Sequence, residues 1–215
     1  YNIYFLDRNI LSIIKYYNEN NRSHRNEEQS TLDLLLNIDR ISSIISPVFS
    51  SFEGSKGKME SYKESEDTLN EELSCLKQFF KKAIVDPALD NLRSLFLEAK
   101  NSCAYRDDIN NRIEFLKDIN SIIVLQTTND INKKLEKTIL VANKYKLGKF
   151  DPIVVSVLYC ICENSSCRDI LKPKQNIKKT KYYNAVSDIK TFSMFAMVAG
   201  NMNNKVSIRF NAMMN

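Results

Sequence analysis

The feature that most constrains this chain is a short apolar run near its start that ends in an acid. Residues 3–6 (IYFL) are β-branched, aromatic or bulky, do not alternate with polar residues, and are followed at once by Asp7. Such a run is typical of a strand covered on both faces, as in a parallel sheet between helices. Residues 10–17 then show helical spacing. We therefore expect Asp7 either at the carboxyl edge of a sheet, where open α/β sheets bind ligands, or as a cap of the next helix.

The remaining pattern favours helices over tight turns. With 43% hydrophobic residues, the 215-residue chain can build a substantial core. Four glycines and four prolines are too few for an all-β chain with many turns. Polar residues 18–29 indicate a loop, and residues 69–146 show a helical pattern in which residues 122–125 could instead form a strand. Strand segments are predicted at 44–45 and 206–210, and residues 185–188 are predicted to end a strand and begin a turn.

These segments predict an α/β fold in which a small parallel sheet is flanked by helices. At 215 residues, the chain is long enough for one large domain or two small ones.

The net charge and the cysteines limit the classes of protein to which the chain could belong. The 31 basic and 26 acidic residues leave a net charge of +5, which permits a nucleic-acid partner without requiring one. Five irregularly spaced cysteines fit free thiols in a reducing compartment better than a disulfide framework. No apolar run approaches the ~20 residues of a membrane span. We expect a cytoplasmic protein with no membrane partner.

Four acids fall at predicted element boundaries: Asp7, Glu53, Asp151 and Asp188. Glu53 lies on a short helix after Ser46-Pro47, Asp151 opens a helix, and Asp188 follows a predicted strand. Carboxylates gathered at one edge repel each other unless a cation holds them, and their hard oxygens suit Mg²⁺ or Mn²⁺. Such a site can activate water and stabilise a phosphodiester transition state. The alternative for each acid is a helix cap or a solvated turn.

The segments IYFLDRNIL, ISPVFSSFEG, FDPIVVSVLYCIC and AVSDIKTF occur in the order of the four motifs of PIN-domain nucleases, which they resemble. The resemblance implies a single PIN-like domain over residues 1–215, with a small parallel sheet flanked by helices. Residues 60–145 would then be a helical insertion or an enlarged helical layer. The resemblance also implies that the catalytic, metal-binding carboxylates are Asp7, Glu53, Asp151 and Asp188. Asn9 would brace the first acid, and Ser187 would support the last. The sequence departs from the family at Arg8, where the family usually has Thr or Ser.

The function implied by the resemblance is a metal-dependent endoribonuclease, a hydrolase of the kind that often serves as a prokaryotic toxin or defence effector. Nucleic acid, with RNA foremost, would be the substrate. A lysine-rich stretch before the fourth motif could track its phosphates, through Lys174, Lys178, Lys179 and Lys181. The alternative for this stretch is a solvated loop.

Two other functions remain open. The chain could be a non-catalytic helical interaction or scaffold protein, or a nucleic-acid-binding regulator that uses the lysine-rich stretch. In either case the helical middle section could bind a protein partner or a second copy of the chain. Cys160, Cys162 and Cys167 are expected to be buried thiols rather than zinc ligands. The single histidine, His24, has no evident Ser or Cys partner for a hydrolytic triad.

Overall fold

The computed structural model divides the chain into two compact units, which are described separately. It describes residues 2–23, 25–53, 57–125, 130–173, 179–203 and 209–213. Unit 1 comprises residues 1–54, 60–100 and 194–215, and unit 2 comprises residues 55–59 and 101–193. The predicted helical segment 60–145 contributes helices to both units, and the single domain over residues 1–215 stays a prediction.

Unit 1 combines a small parallel sheet with helices. Its elements are β1 (Asn2–Leu6), α1 (Arg8–Asn20), α2 (Asn26–Ile38), β2 (Ser43–Ser46), α3 (Ser50–Glu53), α4 (Tyr62–Phe79), β3 (Ile84–Val85), α5 (Pro87–Asn101) and β4 (Arg209–Met213). The described chain is mostly helical, and together with the parallel sheet this confirms an α/β fold with a large helical share.

The four strands are parallel and ordered β3-β2-β1-β4. Ile3 of β1 pairs with Ile44 of β2 on one side and with Phe210 of β4 on the other. The strand predicted at 44–45 is therefore confirmed, while the last strand begins three residues later than predicted, at Arg209. The sequence did not predict β3, because two residues are too short to show a period.

Helices α1, α2 and α4 supply most of the core of unit 1, together with residues of β1 and β2. The buried residues recur at helical spacing, as Ile10, Leu11 and Ile14 do on α1. The core cluster is Leu6, Ile10, Leu11, Ile13, Ile14, Leu32, Leu35, Ile38, Ile45, Leu76, Phe79 and Phe80.

Two carboxylates accept backbone N–H groups at the ends of α2 and fix the segments next to it. The predicted loop at 18–29 is wrong in extent, since α1 continues to Asn20 and α2 begins at Asn26. The Glu28 carboxylate accepts the Arg25 N–H at 3.2 Å, which satisfies a donor at the start of α2. After α2, the Asp39 carboxylate accepts the backbone N–H groups of residues 81–83 at 2.8–3.0 Å. These bonds hold the segment before β3 at the C-terminal end of α2.

Unit 2 is built from helices in its described part. They are α6 (Cys103–Leu125), α7 (Ile131–Lys144), α8 (Pro152–Ile161), α9 (Ser165–Leu171) and α10 (Lys179–Asn203), of which α10 extends past residue 193 into unit 1. Buried residues of α6, α8 and α10, among them Phe115, Val157 and Val186, share one core. No helix within the described ranges is long and apolar enough to cross a membrane.

The strand predicted at 185–188 is wrong, because these residues lie inside α10. Tyr183, Val186 and Ile189 are buried at a spacing of three residues, which is a helical period. The four residues of this segment, two apolar and two polar, are too few to distinguish a strand from a helix, so the local pattern was insufficient.

Candidate functional site

The sheet of unit 1 has a switch point beside β1. The chain runs from β1 to β2 and then β3 on one side, whereas β4 lies on the other side. In open α/β sheets, ligands bind outside the carboxyl ends of the strands where the strand order reverses in this way. Asp7 is the first residue after β1 and therefore stands at this point of the sheet.

The Asp7 side chain is held by the helix that follows it. It is 7% exposed, and its Oδ1 accepts the Ile10 N–H at 2.8 Å, which caps α1. The expectation that Asp7 caps a helix is thus confirmed, and so is its place at the carboxyl edge of a strand. Its role as a metal ligand stays a prediction.

Two other predicted site residues, Glu53 and Asn9, also belong to unit 1. Glu53 is the last residue of α3, which confirms the short helix after β2, but its side chain lies outside the described part. Asn9 is exposed on α1. Its predicted bracing of Asp7 stays a prediction.

Beside Asp7 lies a buried group of charged side chains that the sequence analysis did not identify. We call it the ionic cluster and define it as Arg8, Glu60, Glu72 and Lys100. Three serines complete its hydrogen bonding, namely Ser50, Ser51 and Ser65. All seven residues belong to unit 1.

Lys100 and Glu60 form the innermost pair of the ionic cluster. Both side chains are 1% exposed, and Lys100 Nζ lies 3.2 Å from Glu60 Oε2. Lys100 also donates to Ser65 Oγ at 2.8 Å and to the carbonyl oxygen of Ser51. The three ammonium donors therefore each have an acceptor. Burial lowers the pKa of Lys100, and the Glu60 carboxylate opposes that shift.

Arg8 links the inner pair to Glu72. Its Nη1 donates to Glu60 Oε1 at 3.1 Å, and its Nε lies 3.6 Å from Glu72 Oε1. Because Arg8 directly follows Asp7 in sequence, the ionic cluster begins at the carboxyl end of β1. Arg8 therefore supplies a guanidinium that balances the buried Glu60 carboxylate.

Glu72 has the most perturbed carboxyl group of the ionic cluster. Burial raises the pKa of Glu72 to about 7, against the lowering effects of the Ser50 hydrogen bond and the Arg8 charge. The Ser50 hydroxyl lies 2.5 Å from Glu72 Oε2. A carboxyl group that titrates near neutral pH beside the ligand-binding edge of a sheet has the properties of an acid–base residue.

The sequence of α4 contains a signal for the burial of Ser65 and Glu72. The buried residues of α4 are Ser65, Leu69, Leu73, Leu76 and Phe79. The half-buried Glu72 lies on the same helix face, three residues after Leu69 and four before Leu76. Polar residues at two positions of an otherwise apolar stripe predict buried polar groups that need partners. Lys100 carries no comparable local signal, because its partners lie 35 to 49 residues away in sequence.

The remaining predicted acids belong to unit 2. Asp151 Oδ1 accepts the Ile153 N–H at 3.0 Å and caps α8, as expected. Its Oδ2 accepts from Arg112 Nη2 at 2.7 Å. Asp188 is exposed on α10, and Ser187 beside it is buried. The predicted strand context of Asp188 is therefore absent, while the metal-binding role of both acids stays a prediction.

Arg112 extends the charge pairing around Asp151. It also contacts Asp108, which in turn contacts Lys190, and Lys190 Nζ lies 4.1 Å from the centre of the Tyr105 ring. This arrangement gives Asp151 a structural role in unit 2, as a helix cap and an ion-pair partner.

The lysine-rich stretch is only partly described. Lys174 and Lys178 lie outside the described residues, Lys179 begins α10, and Lys181 is exposed. Substrate binding by these lysines stays a prediction.

The described cysteines are free thiols, as expected. Cys160 is buried and Cys167 is half-buried, but Cys162 is exposed, so the expectation of buried thiols is wrong there. Cys162 ends α8 as its C-terminal cap, where the side chain leaves the packed face.

Asp7 has the hard oxygen donors that Mg²⁺ or Mn²⁺ prefers. Among the residues whose positions are described, no three His, Cys, Asp or Glu side chains are grouped closely enough to hold a metal ion. The predicted set includes Glu53, whose side chain lies outside the described part of the chain. Comparisons with protein-family models, with curated proteins and with solved structures find no match.

Proposed function

We propose that this chain is a divalent-metal-dependent nuclease that hydrolyses phosphodiester bonds, with RNA as its expected substrate and a PIN-like sheet as its scaffold. The observation that supports this function is the position of Asp7, a buried carboxylate at the carboxyl end of β1 and at the switch point of the sheet. The ligands implied by the resemblance are Asp7, Glu53, Asp151 and Asp188. A bound Mg²⁺ or Mn²⁺ would supply Lewis acidity and an ionised water.

The residues around Asp7 would prepare the site before substrate binds. The N–H of Ile10 fixes one carboxylate oxygen of Asp7, so the side chain loses little freedom on binding a ligand. Arg8 and Lys100 hold the neighbouring carboxyl groups of Glu60 and Glu72 in a buried arrangement. Fixed charges in a site of low polarity act strongly on charge that develops during hydrolysis.

A single conservative substitution tests this function. The full chain with Mn²⁺ is expected to cleave single-stranded RNA, and Asp7→Asn is expected to reduce the rate about a hundredfold or more, the scale of losing one strong electrostatic stabiliser. Because Asn caps helices as well as Asp does, the thermal unfolding of this variant should match the wild type. Asp67→Asn, which changes an exposed carboxylate on α4, is the matched control and should cleave normally.

Two outcomes would contradict the proposal. If Asp7→Asn retains the wild-type rate, the carboxylate at the switch point is not part of the site. Cleavage that survives complete chelation of divalent ions would remove the metal dependence.

The second candidate is a non-catalytic helical interaction protein or a nucleic-acid-binding regulator. It is favoured by the ion pair between Asp151 and Arg112, which gives a predicted ligand a structural role. Salt-sensitive RNA binding without turnover would support the regulator. Binding to a protein partner or self-association through the helical middle section would support the interaction protein.

A further inference from the structure

The hydroxyl group of Ser50 stands between two oxygen acceptors. Its Oγ lies 2.7 Å from the carbonyl oxygen of Pro47 and 2.5 Å from Glu72 Oε2. A serine hydroxyl carries one proton, and a carbonyl oxygen carries none. If Glu72 were ionised, the Ser50 proton would point to it, and the Ser50 and Pro47 oxygens would face each other at 2.7 Å with no proton between them. A proton on Glu72 satisfies both contacts, since Glu72 then donates to Ser50 and Ser50 donates to Pro47.

The surroundings of Glu72 favour the same state. The charged groups that face it are Arg8 from α1, Glu60 from the segment before α4, and Lys100 from α5, while α3 contributes the Ser50 hydroxyl. Burial outweighs the two cations, and the pKa of Glu72 rises to about 7. Arg8 Nε lies 3.6 Å from Glu72 Oε1, so a carboxylate formed by loss of the proton would have a cation beside it.

The position of Glu72 connects it to the proposed site. Ser50 is the first residue of α3, which follows β2, and Arg8 is the first residue of α1, which follows Asp7. Glu72 therefore contacts residues that leave the carboxyl ends of two adjacent strands. Its side chain remains 11% exposed, so it is mostly shielded from water but can still exchange a proton.

We infer that Glu72 is the proton donor of the site, holding on Oε2 the proton that the Ser50 geometry calls for and passing it to the leaving oxygen of a phosphodiester. This inference rests on the proposed nuclease function. The oxygen of a water molecule forms a bond to phosphorus, and the bond from phosphorus to the ribose oxygen breaks. The ribose oxygen takes the Glu72 proton and leaves as an alcohol. Glu72 remains as a carboxylate beside Arg8, and the proton released by the attacking water restores it through solvent.

The first measurement does not depend on activity. A carbon-13 NMR titration of the side-chain carboxyl groups in the full chain, with Glu72 assigned through its backbone, should show a midpoint near 7 for Glu72. A midpoint below about 5, close to the ordinary value for glutamate, would overturn the inference. Because the titration uses the wild-type chain, it remains decisive even if a Glu72 variant fails to fold.

The second measurement compares pH–rate profiles with Mn²⁺ and RNA. The wild-type rate should fall above pH 7 as Glu72 loses its proton, and Glu72→Gln should be about 10²- to 10⁴-fold slower without that decline. Glu71→Gln, which removes the exposed neighbouring carboxyl group, is the matched control and should keep the wild-type rate and profile.

The outcomes separate this inference from the proposed function. An active wild type whose Glu72→Gln variant keeps the same rate and profile overturns the donor role alone. An inactive wild type overturns the nuclease function and the donor role with it, whatever midpoint the titration gives.

Discussion

Replacing Lys100 with Met should strongly destabilise unit 1. The substitution keeps a long side chain but removes an ammonium group that donates to Glu60, Ser65 and the Ser51 carbonyl. Breaking a buried ion pair by removing one partner costs about 3–5 kcal/mol, because the other charge remains buried. Glu60 keeps Arg8 at 3.1 Å, which places the expected loss near the lower end, at about 3 kcal/mol.

Urea unfolding of the full chain measures this loss as a change in the free energy of unfolding. The double variant Lys100→Met with Glu60→Gln should recover most of it, because no buried carboxylate is then left without its lysine. Lys63→Met is the matched control, since Lys63 is exposed on α4, and it should change stability by no more than about 0.5 kcal/mol.

The reasoning would be refuted by a loss below about 1 kcal/mol for Lys100→Met, which lies well under the cost of isolating a buried charge. It would equally be refuted if the double variant lost as much stability as the two single variants together, since the two charges would then not interact.

Three further predictions concern Glu72, Asp7 and Gly57. The folded-state pKa of Glu72, raised from 4.5 to about 7, means that the folded chain keeps a proton that the unfolded chain releases. This proton stabilises the folded chain fully below pH 4.5, and the stabilisation is lost as pH rises through 7. The free energy of unfolding of the wild type should therefore fall by about 3 kcal/mol relative to Glu72→Gln between urea titrations at pH 4 and pH 8. Asp7→Ala should cost about 1 kcal/mol in thermal unfolding because the cap of α1 is lost, unlike Asp7→Asn. Gly57→Ala should lower the free energy of unfolding by more than about 1 kcal/mol, because Gly57 has a φ of 71° and an added Cβ would lie 2.5 Å from the Thr180 Cβ. Gly148→Ala, whose added Cβ meets nothing within 4 Å, is the control in the same urea assay.

The elements that the sequence predicted correctly are those with strong local signals. The apolar run before Asp7 is β1, and the Asp151-Pro152 pair opens α8. Each signal acts within a few residues, either as a cap that satisfies a free N–H group or as a run of residues that suits a pleated strand. For the same reason the cap of α1 could be read from Asp7 and its neighbours.

The errors lie where a short segment had to be interpreted without its neighbours. Residues 185–188 are helical because their apolar side chains continue the buried face of α10, which begins at residue 179. The strand β3 is too short to be recognised, and the segment before it is held by Asp39, about 42 residues earlier in the chain. These features depend on packing partners that no local window contains.

The sequence likewise indicates only part of the ionic cluster. A Glu within the apolar stripe of α4 indicated a buried carboxyl group, but not the identity of its partners. Arg8, Glu60 and Lys100 are brought together from across some 90 residues. Their pairing follows from the sheet order and from the packing of α1 and α4 in unit 1.

By itself, the sequence determined where α1 and α8 begin, which residues form the first two strands, and that an acid follows the first strand. These properties arise from hydrogen bonds and side-chain periodicities that span a few residues. Only the tertiary structure decided the strand order that puts Asp7 at a switch point, and the burial that raises the pKa of Glu72. Burial and charge pairing depend on distances in space, and a chain acquires these only when distant segments pack together.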